Sequence, residues 1–403
     1  MPAFGIALAY TLVTTYVPVL LNQLSGPAIT GILIGGEGVL ALIVPVLVGN
    51  WSDSLRSRLG GRLPFVLAGS GLAVAALVLL PLGTGSLVFI AVALGGFFIG
   101  YFVYYAPYYA LYPDLVPEEA RGRSQGFQGT LRSAGLLLGL SGGGFLLSLW
   151  HPLPFVVGAA AVVATTAGLY AGVRHRVATA RSGARVAGGR NGFVIDWQML
   201  RGDRAIRLWA VANACWEGAI AALRTFVVLY FTVGLGFSLH GASAALALVG
   251  GAALVAAPVA GKLADRYGPR RVMQVAVWLF ALGLAPPLLT TNTYFIAAIV
   301  PVAFAAVVLM TLPYAVLMGL LPENREHGAG ASLFGLSRGF GVIIGPLLAG
   351  GATSALSSVG ALSFDDTKGY SSIFAVAMVL LLASTPLLRR IPATGPGQRS
   401  GGP

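Results

Sequence analysis

Charge is scarce in this chain: 25 Lys+Arg and 13 Asp+Glu among 403 residues leave it 9% charged, where a soluble domain carries roughly 25%. So few charges cannot cover a water-facing surface, which excludes a soluble globular fold unless lipid solvates most of the exterior. Cysteine is almost absent. The single one, Cys215, lies in an apolar block, which excludes a disulfide framework and a thiolate metal site. The 4 histidines are scattered without metal-ligand spacing, so no metal and no other cofactor is expected. Enzyme signatures are missing as well. There is no paired-carboxylate motif, no H-E-x-x-H, no G-x-S-x-G and no Walker A, so neither an enzyme nor an ATP-driven pump is expected. No basic segment precedes the first apolar block, which therefore reads as a retained membrane helix rather than a cleaved leader.

What the chain has in abundance is apolar sequence, 57% of it, in blocks of about 20 residues that suit helices crossing ~30 Å of hydrocarbon. Barrel strands would be shorter and would alternate. Twelve spans are expected, centred near Tyr10, Val39, Gly71, Gly96, Leu138, Ala161, Glu217, Gly250, Leu279, Phe304, Ile343 and Met378. The net charge of +12 is set between these blocks in short clusters, a pattern of topology and not of nucleic-acid binding. Of the 25 basic residues, 21 fall in the even-numbered breaks and the tail, while the odd-numbered breaks hold only Lys368. Positive charge marks the cytoplasmic side, so both termini are expected in the cytoplasm of a multi-pass protein of the cell (inner or plasma) membrane. An all-α integral membrane fold follows, with twelve transmembrane helices in two pseudo-symmetric six-helix bundles. The expected domains are 1–173, a cytoplasmic linker at 174–205, 206–388 and a cytoplasmic tail at 389–403.

The pseudo-symmetry rests on three matched anchors that keep their order along the chain. Gly49-Asn-Trp-Ser-Asp53 matches Gly261-Lys-Leu-Ala-Asp265, Pro107-Tyr108 matches Pro313-Tyr314, and Arg132-Ser-Ala-Gly135 with Gly139 matches Arg338-Gly-Phe-Gly341 with Gly345, at offsets of 212, 206 and 206. At these residues the sequence resembles the major facilitator superfamily, whose signature loop has the form G-x-x-x-D-(R/K)-x-G-R-(R/K). Gly261-Lys-Leu-Ala-Asp265-Arg266-Tyr-Gly268-Pro-Arg270-Arg271 is a close copy. The earlier loop, from Gly49 through Asp53, Arg58 and Arg62 to Phe65, is longer and is similar to that of the glycoside-pentoside-hexuronide:cation symporters and their proton-coupled sugar relatives. The resemblance implies a cytoplasmic gate in which Asp53 faces Arg338 and Asp265 faces Arg132, flanked by Arg58, Arg62, Arg266 and Arg270. The alternative is that Arg132 and Arg338 bond to backbone carbonyls of their own half.

A charged side chain at membrane depth costs roughly 2.5–3.5 kcal/mol on insertion scales, so Glu37, Arg132, Glu217, Arg224 and Arg338 each need a reason to be there. Asn213, Glu217 and Arg224 fall within roughly 40° of one another on one helix face, a polar stripe in an apolar helix. The resemblance implies that this seventh helix lines a central cavity, which makes Glu217 with Arg224 a substrate or proton site; a static ion pair is the competing reading. Glu37 is a lone acid in the second span, with Leu33 and Ala41 one turn to either side, where sodium-coupled members of the resembling branch carry two acids. Sodium coupling is therefore not expected, and burial makes Glu37 a proton-coupling candidate, with a structural acid bonded to Arg224 or to backbone as the competing reading. Tyr101, Tyr104, Tyr105, Tyr108 and Tyr112 recur at helical spacing in the fourth span, and Tyr104 and Tyr108 are candidates to stack on a substrate, as against plain packing. The glycine rows at 135/139/143 and 341/345 suit close helix packing.

Together these features lead to a secondary active transporter, expected to be a proton-coupled symporter of a small solute such as a sugar that works by alternating access as a monomer in membrane lipid. A proton-coupled antiporter exporting amphipathic drugs competes with it, and a non-transporting receptor or assembly factor stands further off.

Overall fold

The computed structural model describes residues 2–55, 59, 61–83, 85–116, 118–179, 199–321 and 327–391. All regular structure among them is helical. Pro2–Ser54 is one helical run broken at Gly26, whose φ of 75° and ψ of 178° leave the helical region. Only glycine occupies that conformation readily. The two arms are α1 (2–25) and α2 (27–54). They are followed by α3 (Leu63–Leu79), α4 (Leu87–Leu115), α5 (Glu118–Leu149), α6 (Leu153–Thr179), α7 (Arg204–Leu229), α8 (Leu239–Tyr267) and α9 (Pro269–Gly283). The last three are α10 (Ile299–Thr311, continued as Pro313–Leu320 beyond a break at Leu312), α11 (His327–Leu356) and α12 (Ser372–Arg390).

Counting Pro2–Gly49 as one, 11 stretches of the described residues are long and apolar enough to cross a membrane. The kink at Gly26 divides that 48-residue stretch into two spans. The expected polar break at Asn22–Gly26 is thus a single residue wide. Nothing lies within 4 Å of where a Cβ on Gly26 would stand, so Gly26→Ala isolates the conformational cost. It is expected to remove about 1–3 kcal/mol of stability, read as a lower unfolding temperature in detergent.

The chain divides into two compact units, Met1–Arg190 with Gly236–Gly250, and Asn191–Leu235 with Gly251–Pro403. Within the first, a core of Val13, Val17, Leu77, Phe97, Phe98 and Phe155 ties α1, α3, α4 and α6 together. In both units large apolar side chains also point outward, among them Val88 at 72% and Val379 at 65% exposure, as befits a surface solvated by hydrocarbon.

The matched glycine rows do the same work in each unit. On α5, a Cβ at Gly135 would come within 2.6 Å of the Phe4 carbonyl oxygen, and one at Gly139 within 2.8 Å of Thr11, so α5 rides on α1. On α11, a Cβ at Gly341 would come within 2.5 Å of the Ala214 carbonyl oxygen, and one at Gly345 would collide with the carbonyl of Gly218, so α11 rides on α7. Small residues let the backbones approach, which is how helices associate where lipid is as apolar as the side chains. The first unit adds a polar clasp: the Tyr16 hydroxyl lies 2.7 Å from the Leu140 carbonyl oxygen and 2.8 Å from Ser243 Oγ, and Ser243 Oγ accepts from Gly144 N–H at 2.9 Å.

Candidate functional site

In the second unit the site is built on α7. Asp203 caps its start, accepting from Ala205 N–H at 2.7 Å and Ile206 N–H at 3.3 Å. Two buried tryptophans then fix its rotation: Trp209 Nε1 donates to the Pro313 carbonyl at 3.0 Å and Trp216 Nε1 to Ser384 Oγ at 2.8 Å. With the indoles anchored toward α10 and α12, Asn213 and Glu217, one turn apart, are presented to α11. Asn213 is fully buried; its Nδ2 donates to Ser337 Oγ at 2.8 Å, while its Oδ1 has no hydrogen-bond partner. One turn on, Glu217 Oε2 lies 3.5 Å from Arg338 Nε, with side-chain exposures of 9% and 35%. A carboxylate almost sealed from solvent thus faces a guanidinium that keeps an open side. This polar pair of rungs lies on the same α7–α11 seam as Gly341 and Gly345, whose lack of side chains brings the two backbones close enough for the contacts. Arg224 is on α7, two turns beyond Glu217 and half-buried.

The first unit holds a second acid. Glu37 on α2 is 3% exposed and accepts a hydrogen bond from the Tyr10 hydroxyl of α1. The Tyr10 ring stacks on Tyr101 with centroids 4.7 Å apart, Tyr101 stacks on Tyr105 at 5.6 Å, and Tyr105 lies 4.4 Å from Tyr109. Glu37 is thereby attached to a run of tyrosines along α4. Tyr104 and Tyr108 occupy the neighbouring face, stacked at 5.2 Å and buried in the hydrophobic core. Tyr108 Oη accepts from Gln128 Nε2 at 2.9 Å, whereas Tyr104 Oη is buried without a hydrogen-bond partner.

The structure therefore regroups the residues singled out from the sequence. Glu217 meets Arg338, which the motif had grouped with the gate, and Asn213 meets Ser337, which the sequence did not single out. Ser337 directly precedes Arg338, so the repeated Arg-x-x-Gly anchor was the available signal. Tyr10 had figured only as the centre of the first span, and Gln128 not at all. Of the gate residues, Arg58 and the side chain of Asp53 lie outside the described residues. Arg62 is half-buried just before α3, Arg132 is exposed on α5 with Tyr109 as a hydrogen-bonding neighbour, and Asp265 and Arg266 are exposed in the last turn of α8. Arg266 lies over the Tyr267 ring at 5.3 Å, and Arg270 donates to the Arg389 carbonyl. The expected linker falls largely on residues outside those described. No group of three or more His, Cys, Asp or Glu that could hold a metal occurs among the described residues.

The whole chain matches the family described as the Major Facilitator Superfamily, over residues 3–253 and 219–403. The chain belongs to the major facilitator superfamily. Solved structures share its fold across nearly their full length. A bacterial homolog to the human lysosomal transporter Spinster, inward-facing and occupied, is 16% identical with a TM-score of 0.78, covering 98% of this chain and 95% of its own. The nucleoside transporter NupG is 12% identical with a TM-score of 0.75, covering 96% and 97%. A bacterial homologue of the human drug peptide transporters PepT1 and PepT2 is 13% identical with a TM-score of 0.70, covering 97% of each chain. At such identities the likeness concerns the fold alone. No curated protein matches the chain. The family and these neighbours are transporters and not enzymes, and the chain is a multi-pass membrane protein of the transporter fold.

Proposed function

We propose that the protein is a proton-coupled secondary transporter that moves a small polar solute by alternating access, with Glu217 as the principal proton carrier. The observation that carries this reading is the sealed Glu217 carboxylate, 3.5 Å from a part-open Arg338. In a low-dielectric seam an ionised carboxylate needs a cation beside it, and a protonated one does not. Proton binding and the ion pair are therefore alternative ways of stabilising Glu217, and a solute that engages Arg338 from its open side would favour the protonated form. That exchange links proton and solute on one site. Asn213, held at one end by Ser337, offers its unpaired Oδ1 next to the pair. The solute class is a small polar molecule such as a sugar, in keeping with the loop from Gly49 to Phe65. The two halves, 1–173 and 206–388, would rock about this depth, with the 174–205 linker, the 389–403 tail and the motif residues from Asp53 to Arg62 and Asp265 to Arg270 on the cytoplasmic face.

One observation favours export of amphipathic cations instead: Glu37 lies at the end of the Tyr10–Tyr101–Tyr105–Tyr109 run of neighbouring rings, and a carboxylate beside aromatic faces suits a lipophilic cation. Proton-driven flux in proteoliposomes, measured for a panel of neutral sugars and a panel of lipophilic cations, separates the two. Accumulation of a sugar with protons running the same way supports the first; movement of cations against protons supports the second.

Orientation has its own test. Asp366 is exposed in the segment between α11 and α12, and the distribution of basic residues assigns this segment to the external face. In a Cys215→Ala background, Asp366→Cys is expected to react with a membrane-impermeant maleimide added to intact cells. Labelling only after the cells are opened would reverse the assigned topology.

A further inference from the structure

Away from the α7–α11 seam, the start of α7 and the end of α12 flank an open surface cavity of about 560 Å³ lined by Arg204, Ala205, Leu208 and Arg390. Three of the charges around it have named protein partners. Asp203, the nearby acid, is committed to capping α7 through the N–H groups of Ala205 and Ile206. Arg207 donates to the carbonyls of Leu200 and Arg201, at 3.2 and 2.7 Å, and Arg270 to that of Arg389. Neither Arg204 nor Arg390 forms an ion pair with an acid among the described residues. Two guanidiniums thus face one cavity with no counter-charge from the described protein.

Their place in the fold says what would supply it. Arg204 opens the membrane-crossing stretch Arg204–Gly234 and Arg390 closes Ser372–Arg390, so the cavity lies where two spans reach the membrane surface. Arg204, Leu208 and Val211 follow one another at helical spacing on one side of α7, and Val211 is 54% exposed. That side is about 180° from Asn213, at ~100° per residue, so it is the outer face of a helix whose inner face carries the candidate site. An apolar track therefore runs from the arginine cavity down the lipid-facing flank. We propose that this cavity binds the phosphate of an anionic phospholipid, with Arg204 and Arg390 holding the headgroup and Leu208 and Val211 lying against its acyl chain. Planar guanidiniums suit phosphate oxygens, and basic residues at span ends attract anionic headgroups.

The test is lipid retention by the full-length protein, which does not depend on transport. By native mass spectrometry, the unmodified protein with added phosphatidylglycerol or phosphatidylcholine is expected to retain the former in preference. Arg204→Gln/Arg390→Gln is expected to lose that preference by about ten-fold or more, and Arg204→Lys/Arg390→Lys to keep part of it. Both arginines are exposed, and should the double glutamine variant fail to fold, Arg390→Gln alone gives the same comparison with a smaller loss. Undiminished phosphatidylglycerol retention in the glutamine variants would overturn the proposal. So would displacement of the lipid by inorganic phosphate alone, which would assign the arginines to a soluble anion.

Discussion

Glu217→Gln is expected to abolish accumulation of solute against its gradient, reducing uptake to the level seen with no proton gradient imposed. The amide keeps the shape of the side chain and can still accept from Arg338, but it cannot exchange a proton. The fold should survive. Removing one partner of a fully buried ion pair costs about 3–5 kcal/mol, but the Arg338 side chain is 35% exposed and water can solvate what the carboxylate no longer balances. The stability loss should be nearer 1–2 kcal/mol, since screening shrinks the value of exposed pairs. Solute exchange down its own gradient should persist, because that movement needs no proton. A variant that keeps exchange and loses accumulation separates coupling from binding. If gradient-driven uptake is unchanged in Glu217→Gln and also in Glu37→Gln, neither carboxylate carries the proton.

The largest structural effect is expected at Gly345. A Cβ there would collide with the carbonyl oxygen of Gly218 and lie within 2.8 Å of its carbonyl carbon and 2.9 Å of its Cα. All three are backbone atoms, so no rotamer change can relieve the clash, and α11 must move off α7. Overpacking of this kind typically costs about 1–3 kcal/mol; here it should reach the upper end or beyond, because the Asn213–Ser337 and Glu217–Arg338 contacts share the seam. Gly345→Ala should lower both the yield of folded protein and its unfolding temperature. Gly351→Ala is the control on the same helix. Nothing lies within 4 Å of a Cβ at Gly351, so the exchange should be neutral or stabilising by up to ~1 kcal/mol through helix propensity. Equal effects at the two positions would mean that the close approach of α7 and α11 does not govern stability.

Much of the fold was legible because hydrocarbon imposes simple rules. Each span must be helical, about 20 residues long and apolar, and polar breaks between apolar blocks then locate the ends. The glycine rows at 135/139/143 and 341/345 were legible as packing surfaces for the same reason: in lipid, small residues are what permits contact. The break between α1 and α2 was placed correctly, but its width was not, since one glycine at φ 75° does what a loop was expected to do. The partner of Glu217 was not legible. Spacing along α7 reports which residues share a face, and it linked Glu217 to Arg224; which residue of another helix meets that face depends on the mutual rotation of α7 and α11. That rotation is set by the Trp209 and Trp216 anchors and the Gly218–Gly345 approach. The tyrosines of α4 show the same limit. Their spacing was clear, but only packing divides them into a pair in the core, Tyr104 and Tyr108, and a run that reaches Glu37 through Tyr10.

Whether protons move with the solute decides whether the protein is a proton-coupled transporter. Proteoliposomes loaded with a pH-sensitive dye, with no pH gradient imposed and the membrane potential clamped, are given an inward gradient of the solute that the flux panels identify. The lumen is expected to acidify as solute enters, and Glu217→Gln is expected to admit solute with no change in luminal pH. Solute entry without any proton movement in the unmodified protein would contradict proton coupling.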